Sequence, residues 1–283
     1  MFVKTILAYV VLIFICRNAY SQKSEMEIIK RDVILNYSEA HILYSENVQD
    51  SFYIYIKLPK YYDQEINKSY PVVYLLDGDI AFPMAWSVVR YLQFGKYVPD
   101  LIIVGIGYGG LLYSSKLSKR ERDYSISEIE GLTGSGGADK FLNFIKKELM
   151  PHLESQYRMD SSNLTLSGHS LGGLFALYTL FTEPNLFSNY IASSPSTSFD
   201  VEELLSLEEK NQNKIEEADC NLFISFGTAE DEEKYVKPIN KIVNQLKQRG
   251  PDYTNLKFRI FEEGVHFGTP AEGMAYGLLH SFK

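Results

Sequence analysis

Apolar residues in this chain come in short runs, and segments with helical spacing separate them. "SFYIYIKLP" (Ser51–Pro59) alternates and predicts a strand, with "AHILYS" just before it as a hairpin partner. "PVVYLLDGD" (Pro71–Asp79) is almost wholly apolar, and a helix-like segment follows to about Gln93. "LIIVGIG" (Leu101–Gly107) is a second apolar run. In "ADKFLNFIKKELMPHLESQY", Phe141, Leu142, Phe144, Ile145 and Leu149 have helical spacing. Then come "NLTLSG", a helix after Ser170, "YIASSPS", "NLFISFG", a helix from about Tyr235 to Gln248, "NLKFRIFEEG" and a final helix. Strands and helices take turns, and the inner strands are apolar throughout. That pattern predicts an α/β fold: a mainly parallel sheet covered on both faces, with an antiparallel portion near the N-terminus. No repeat or linker interrupts it, so residues 22–283 are expected to form one domain.

The first residues read differently. "MFVKTILAYVVLIFICRNAYSQ" has a lysine near its start, an apolar run from Ile6 to Ile15, and "AYS" at Ala19–Ser21. This is the pattern of a secretory signal peptide over residues 1–21, with cleavage after Ser21. The run is shorter than the ~20 residues of a spanning helix, and Ile15 is too large for a lipoprotein box at Cys16. The mature protein is therefore expected to be exported, periplasmic or secreted, with no stable membrane insertion.

The formal charge of −8 becomes −10 once Lys4 and Arg17 leave with the signal. An acidic surface argues against nucleic acid and anionic lipid as main partners. Cys220 then stands alone, so no intrachain disulfide forms. At the start of an apolar strand it reads as a buried structural thiol.

Chemistry concentrates at Gly168-His169-Ser170-Leu171-Gly172. This is G-x-S-x-G between a strand and a helix, the context in which a strained turn projects a nucleophilic serine above the sheet edge. Small residues two before and two after Ser170 let the turn pack closely. The Leu171 N–H, at a helix start, is placed to donate to a developing oxyanion. His169 is expected to leave the turn in another direction than a base would.

A serine hydroxyl needs a base, and in this fold the acid and then the histidine follow the serine. His266, in the loop "FEEGVHFGTP" after an apolar strand, is the candidate base. His280, near the C-terminus, reads as a surface or packing residue. The acid belongs after "NLFISFG", where Glu230 and Asp231 compete and Glu232 and Glu233 read as the first turn of a helix. The second oxyanion donor belongs to the loop after "YLLDGD", with the Asp79 N–H as candidate.

Together "YLLDGD", "RERDYS", "GGADKFLNFIKKELMPHLESQY", "LSGHSLGGLFALY" and "ASSPS" resemble the esterase D-like α/β-hydrolases, in particular the branch that includes siderophore (enterobactin and salmochelin) esterases. The likeness covers roughly residues 52–266. It implies an α/β-hydrolase fold, no cofactor, no metal, and cleavage of a small-molecule carboxylic ester through an acyl-enzyme. Relatives often carry their acid three residues after the glycine that closes the strand, which favours Glu230 over Asp231. "RERDYS" is similar to the branch's Arg-x-x-Asp-Tyr/Phe-Thr/Ser loop, and Arg122 is expected to face the substrate. Tyr108 and Tyr124 are expected to join it from a loop of about 30 residues, with Tyr113 between them. After "SPS" this chain has Thr197, Ser198 and Phe199 where relatives often have bulky aromatics, so ester specificity does not transfer directly.

Two other readings stand beside the siderophore-type ester. One is a feruloyl or acetyl carbohydrate esterase. The other is a catalytically inactive hydrolase fold used as a binding module, against which the intact Ser170 and His266 argue. Gly105-x-Gly107-x-x-Gly110 also fits a dinucleotide-binding pattern. No amphipathic helix follows it, so the glycines are read as a loop beside the pocket.

Overall fold

The computed structural model describes residues 34–110, 119–250 and 253–283. The expected signal peptide, the start of the expected domain and Tyr113 lie outside the described residues. The architecture belongs to the unit Leu35–Lys283.

Eight strands form one sheet in the order β1-β2-β4-β3-β5-β6-β7-β8. β1 (Ser38–Ser45) and β2 (Asp50–Lys57) make the expected hairpin, and β2 runs antiparallel to β4 (Ile102–Gly107). From β4 the sheet is parallel through β3 (Tyr70–Leu75), β5 (Met159–His169), β6 (Asn189–Ser193), β7 (Asn221–Gly227) and β8 (Leu256–Phe261). The hairpin at one edge needs only a short turn. Parallel neighbours need crossovers, and helices supply them.

The helices lie on both faces. α1 (Gly78–Phe94) follows β3, and the short α2 (Lys119–Tyr124) lies in the connection after β4. α3 (Ala138–Phe144) continues through a π-helical turn into α4 (Met150–Glu154). α5 (Leu171–Thr182) leaves β5 directly. α6 (Val201–Lys210) and α7 (Gln212–Glu217) are short helices that the apolar pattern does not predict, because their polar faces outweigh a few buried leucines and Ile215. α8 (Lys237–Arg249) and α9 (Pro270–Ser281) complete the set.

Successive strand residues point to opposite faces, and each face has its own core. On one, Phe52, Val72, Val104 and Leu166 pack with Phe141, Phe144, Phe175 and Leu177. On the other, Val73, Leu75, Ile103 and Ile191 pack with Phe82, Val89, Met274 and Leu278 from α1 and α9. Cys220 is 3% exposed, and burial pushes its thiol up to about 12, the behaviour of an inert packed sulfur. No helix among the described residues is long and apolar enough to cross a membrane.

Candidate active site

β5 ends at His169 and α5 begins at Leu171, so Ser170 alone makes the turn, at φ 59° and ψ −121°. A non-glycine residue holds such angles only when its surroundings fix it. Here the Ser170 N–H donates to the Ser193 carbonyl (3.0 Å), and the Ser170 carbonyl accepts from the N–H groups of Leu174 and Ser196 (3.0 Å each). The turn is so tight that a Cβ on Gly168 would lie 2.2 Å from the Gly172 carbonyl oxygen, so only glycine fits there. The strain leaves the Ser170 hydroxyl beyond the carboxyl end of the sheet.

His266 meets it from the loop after β8. Its Nε2 lies 3.0 Å from Ser170 Oγ and its Nδ1 lies 2.8 Å from Glu230 Oε2. A carboxylate only accepts, so the imidazole proton sits on Nδ1 and Nε2 is left to accept from the serine. Glu230 Oε1 accepts from the Ser194 hydroxyl and the Gly227 N–H, both at 2.7 Å, which turns Oε2 towards the histidine. Burial alone would raise the Glu230 carboxyl. The hydrogen bonds from His266, Ser194 and Gly227 outweigh it and hold the group below the usual carboxylate value.

These two loops are joined through their backbones. The Ala229 N–H donates to the Gly264 carbonyl (3.0 Å) and the Thr228 N–H to the Phe261 carbonyl (2.9 Å). A Cβ on Gly227 would lie 2.1 Å from the Gly264 carbonyl oxygen, so a glycine is required at the crossing. Asp231, the competing acid, is one residue too far round. It caps the following π-helical turn, accepting from the Lys234 N–H at 2.8 Å.

Aromatic rings hold His266 on three sides. Tyr235 stacks on it with centroids 4.0 Å apart, His169 lies at 4.7 Å and Phe267 meets it edge-on at 4.8 Å. His169 makes no hydrogen bond to Ser170; its ring packs beside that of His266. Burial, with the His266 ring next, pulls its imidazole down to about 3, so it stays neutral. Its ring nitrogens make no hydrogen bond among the described residues. Phe267 is 86% exposed and forms the rim. His280 bonds the Asn255 carbonyl, away from the serine.

Leu171 opens α5, and its N–H belongs to the unpaired first turn. Asp79 is the second residue of α1, and its N–H is likewise in a first turn. The Asp79 carboxylate is committed elsewhere. It accepts from the Tyr55 hydroxyl (2.7 Å) and from the N–H groups of Tyr108 (2.5 Å) and Gly109 (3.0 Å), and the glycine-rich stretch after β4 closes around it.

The expected substrate contacts need correction. Arg122 donates to Asp123 (2.7 and 2.9 Å) and to Asp50 (2.8 Å), tying α2 to the start of β2 rather than facing a substrate. Residues two apart on a helix point to nearly opposite sides, and Arg120 takes the other side. It grips Asp77 with two hydrogen bonds at 2.5 and 3.1 Å. Burial by itself would lower the Arg120 guanidinium, and Asp77 more than offsets it. Arg120 is also the leading arginine of the Arg-x-x-Asp-Tyr spacing, so that spacing read strictly would have found it. Tyr124 is fully buried, and its hydroxyl accepts the Asp77 N–H (3.1 Å). Tyr108 turns its hydroxyl inward, and burial holds its phenol well above the usual value. Tyr124 supports the Asp77 loop from within the core, and the half-buried Tyr108 packs its ring against Phe52 and Tyr124.

Sequence reasoning missed Tyr235 and Arg120. Nothing in the sequence marks Tyr235 except its place just after the acid. No cluster of three or more metal-ligating side chains occurs among the described residues.

The comparisons with known proteins identify the family. The profile of the esterase family, described as "Putative esterase", matches residues 45–249. The chain is 32% identical over 218 residues to the ferri-bacillibactin esterase BesA of Bacillus subtilis, covering 70% of this chain and 72% of that protein. It is 37% identical over 147 residues to a siderophore enterobactin esterase of Emericella nidulans, 46% of this chain and 47% of that one. Among solved structures, the BES protein from Bacillus cereus superposes with a TM-score of 0.80 at 30% identity, covering 92% of this chain and all of that one. A Ser-His-Glu constellation on an eight-stranded α/β sheet, and similarity to named siderophore esterases over most of the chain, lead to one conclusion: the chain belongs to the esterase family, in its siderophore-esterase-like branch, and is a carboxylic ester hydrolase.

Proposed function

We propose that this protein is an exported serine esterase that cleaves a siderophore-type ester through an acyl-enzyme intermediate. The carrying observation is the chain of contacts from Ser170 Oγ through His266 to Glu230, at 3.0 and 2.8 Å. In the first half-reaction His266 Nε2 takes the Ser170 proton as Oγ attacks the ester carbonyl. The oxyanion is held by the Leu171 N–H and, from the facing loop, the Asp79 N–H. Glu230 stabilises the imidazolium and keeps it oriented. His266 then protonates the leaving alkoxide. Water, activated by the same Nε2, releases the acyl group from Ser170 and restores the enzyme.

The siderophore reading rests on the named relatives and on the exposed Phe267 at the rim, a stacking surface for an aromatic ester. Export rests on the signal-like pattern of residues 1–21.

Two measurements test the proposal. A fluorophosphonate probe should label the protein, and Ser170→Ala should abolish the labelling. Across enterobactin, salmochelin, feruloyl and acetyl sugars and a simple chromogenic ester, the siderophores should give the highest kcat/KM. Absence of labelling refutes the serine mechanism. A higher value on the sugars moves the substrate to plant polysaccharide.

A further inference from the structure

A cavity of about 1050 Å³ opens at the other end of the sheet from Ser170. Ser170 emerges where β3 and β5 end. The cavity lies where the parallel strands begin, since Lys57 in its wall pairs with Ile103 near the start of β4. The last turns of α1 and the segment after β2 complete it.

The wall is cationic and aromatic, in a chain whose net charge is −8. Lys57, Lys60 and Arg90 face one carboxylate, Asp100, which lies 3.6 Å from Lys68. The Arg90 guanidinium sits over the Trp86 ring at 5.1 Å and the Lys60 ammonium over the Tyr61 ring at 4.8 Å. Trp86 is fixed by its indole N–H, which donates to the Asn36 carbonyl at 3.2 Å.

Lys57 is the unusual member. It is 6% exposed, and it has no hydrogen-bond or ion-pair partner among the described residues. A lysine this buried without a partner keeps little of its hydration, and the Lys57 ammonium retains only what it reaches through the cavity. Burial pulls Lys57 down to about 8, with Asp100 opposing and Arg90 adding to the effect. An anion in the cavity would supply the missing partner. Flat rings at the same wall supply stacking for an aromatic body, and the volume is at the top of the range for small-molecule sites.

We propose that this cavity is a second binding site, for an aromatic carboxylate whose anionic group meets Lys57 and Arg90 and whose ring packs on Trp86. The site is independent of the ester-cleaving reading, since it shares no residue with Ser170, His266 or Glu230.

Trp86 is the single tryptophan of the chain, so its emission reports this cavity. The test titrates the full-length protein with 2-naphthoate, followed by calorimetry and by Trp86 fluorescence. The expected result is saturable binding with a change in emission. Lys57→Met and Arg90→Gln should each weaken it by about tenfold or more, the effect of a lost charge-assisted hydrogen bond. The neutral alcohol 2-naphthalenemethanol should bind at least tenfold more weakly. Protein labelled on Ser170 by fluorophosphonate should bind 2-naphthoate as the unlabelled protein does. Absence of saturable binding, equal binding of the alcohol, or loss of binding on labelling would each overturn the proposal. If Lys57→Met does not fold, Arg90→Gln decides alone: unchanged affinity in that variant rejects the site.

Discussion

The two ends of the sheet treat buried ionisable groups in opposite ways. At the carboxyl end, Glu230 is 8% exposed and every approach to its oxygens is filled: Ser194 and Gly227 on one, His266 on the other. Its charge is favoured in the folded state despite burial. At the amino end, Lys57 is as deeply buried, and among the described residues its help comes from Asp100, with which it makes no ion pair. Its charge is disfavoured. The contrast shows that burial does not decide the state of a buried group. The donors and acceptors around it do, and where they are missing the fold carries an unbalanced cost that a ligand can relieve.

The largest effects belong to the filled end. Ser170→Ala and His266→Ala should each lower ester turnover by about 10⁴-fold or more in protein that stays folded by circular dichroism. Glu230→Gln should cost roughly 10³-fold or more, since it loses the charge facing the imidazolium. Asp231→Asn should cost little, because Asp231 only caps a helical turn. Steady-state kinetics on a chromogenic ester check all four, and near-normal turnover in Ser170→Ala would end the serine mechanism.

The empty end is next. A lysine held at about 8 instead of the usual 10.5 penalises the folded state fully below about pH 8. The penalty fades as pH rises towards 10.5, where both states become neutral. Lys57→Met should therefore be more stable than the parent at pH 7, by an amount on the order of 3 kcal/mol at most. The gap should close by pH 10.5. Denaturant unfolding of both proteins at several pH values measures it. A gap that does not change with pH would mean that Lys57 carries no such penalty.

The smallest effect concerns α2. Arg122→Ala leaves Asp50 and the buried Asp123 without their shared partner, and should destabilise the fold by about 2 kcal/mol while KM for the ester stays close to that of the parent. A several-fold rise in KM with unchanged stability would return Arg122 to the substrate.

The alternation of apolar strands and spaced helices predicted the sheet and its covered faces. The residues of the elbow predicted a sharp strand-to-helix turn, because local sterics leave few conformations for Gly168-His169-Ser170-Leu171-Gly172. The order serine, acid, histidine brought His266 forward for the same kind of reason: strands of a parallel sheet deliver their following loops to one edge. Those readings depend on near neighbours and on the period of the pattern, and a sequence carries both.

Other features depended on direction in space. Glu230 and Asp231 are adjacent, and only the crossing of Gly227 with Gly264 shows which carboxylate reaches His266. Arg120 and Arg122 are two residues apart, and only the docking of α2 shows which one grips Asp77. Tyr108 and Tyr124 looked available to a substrate until their neighbours filled the core around them. Lys57 ends an ordinary amphipathic strand, and its burial comes from α1 packing across it. In each case the sequence determined which groups were present and roughly at which edge. Tertiary packing decided where each side chain points and whether it finds a partner, because those contacts join residues tens of positions apart that no local pattern connects.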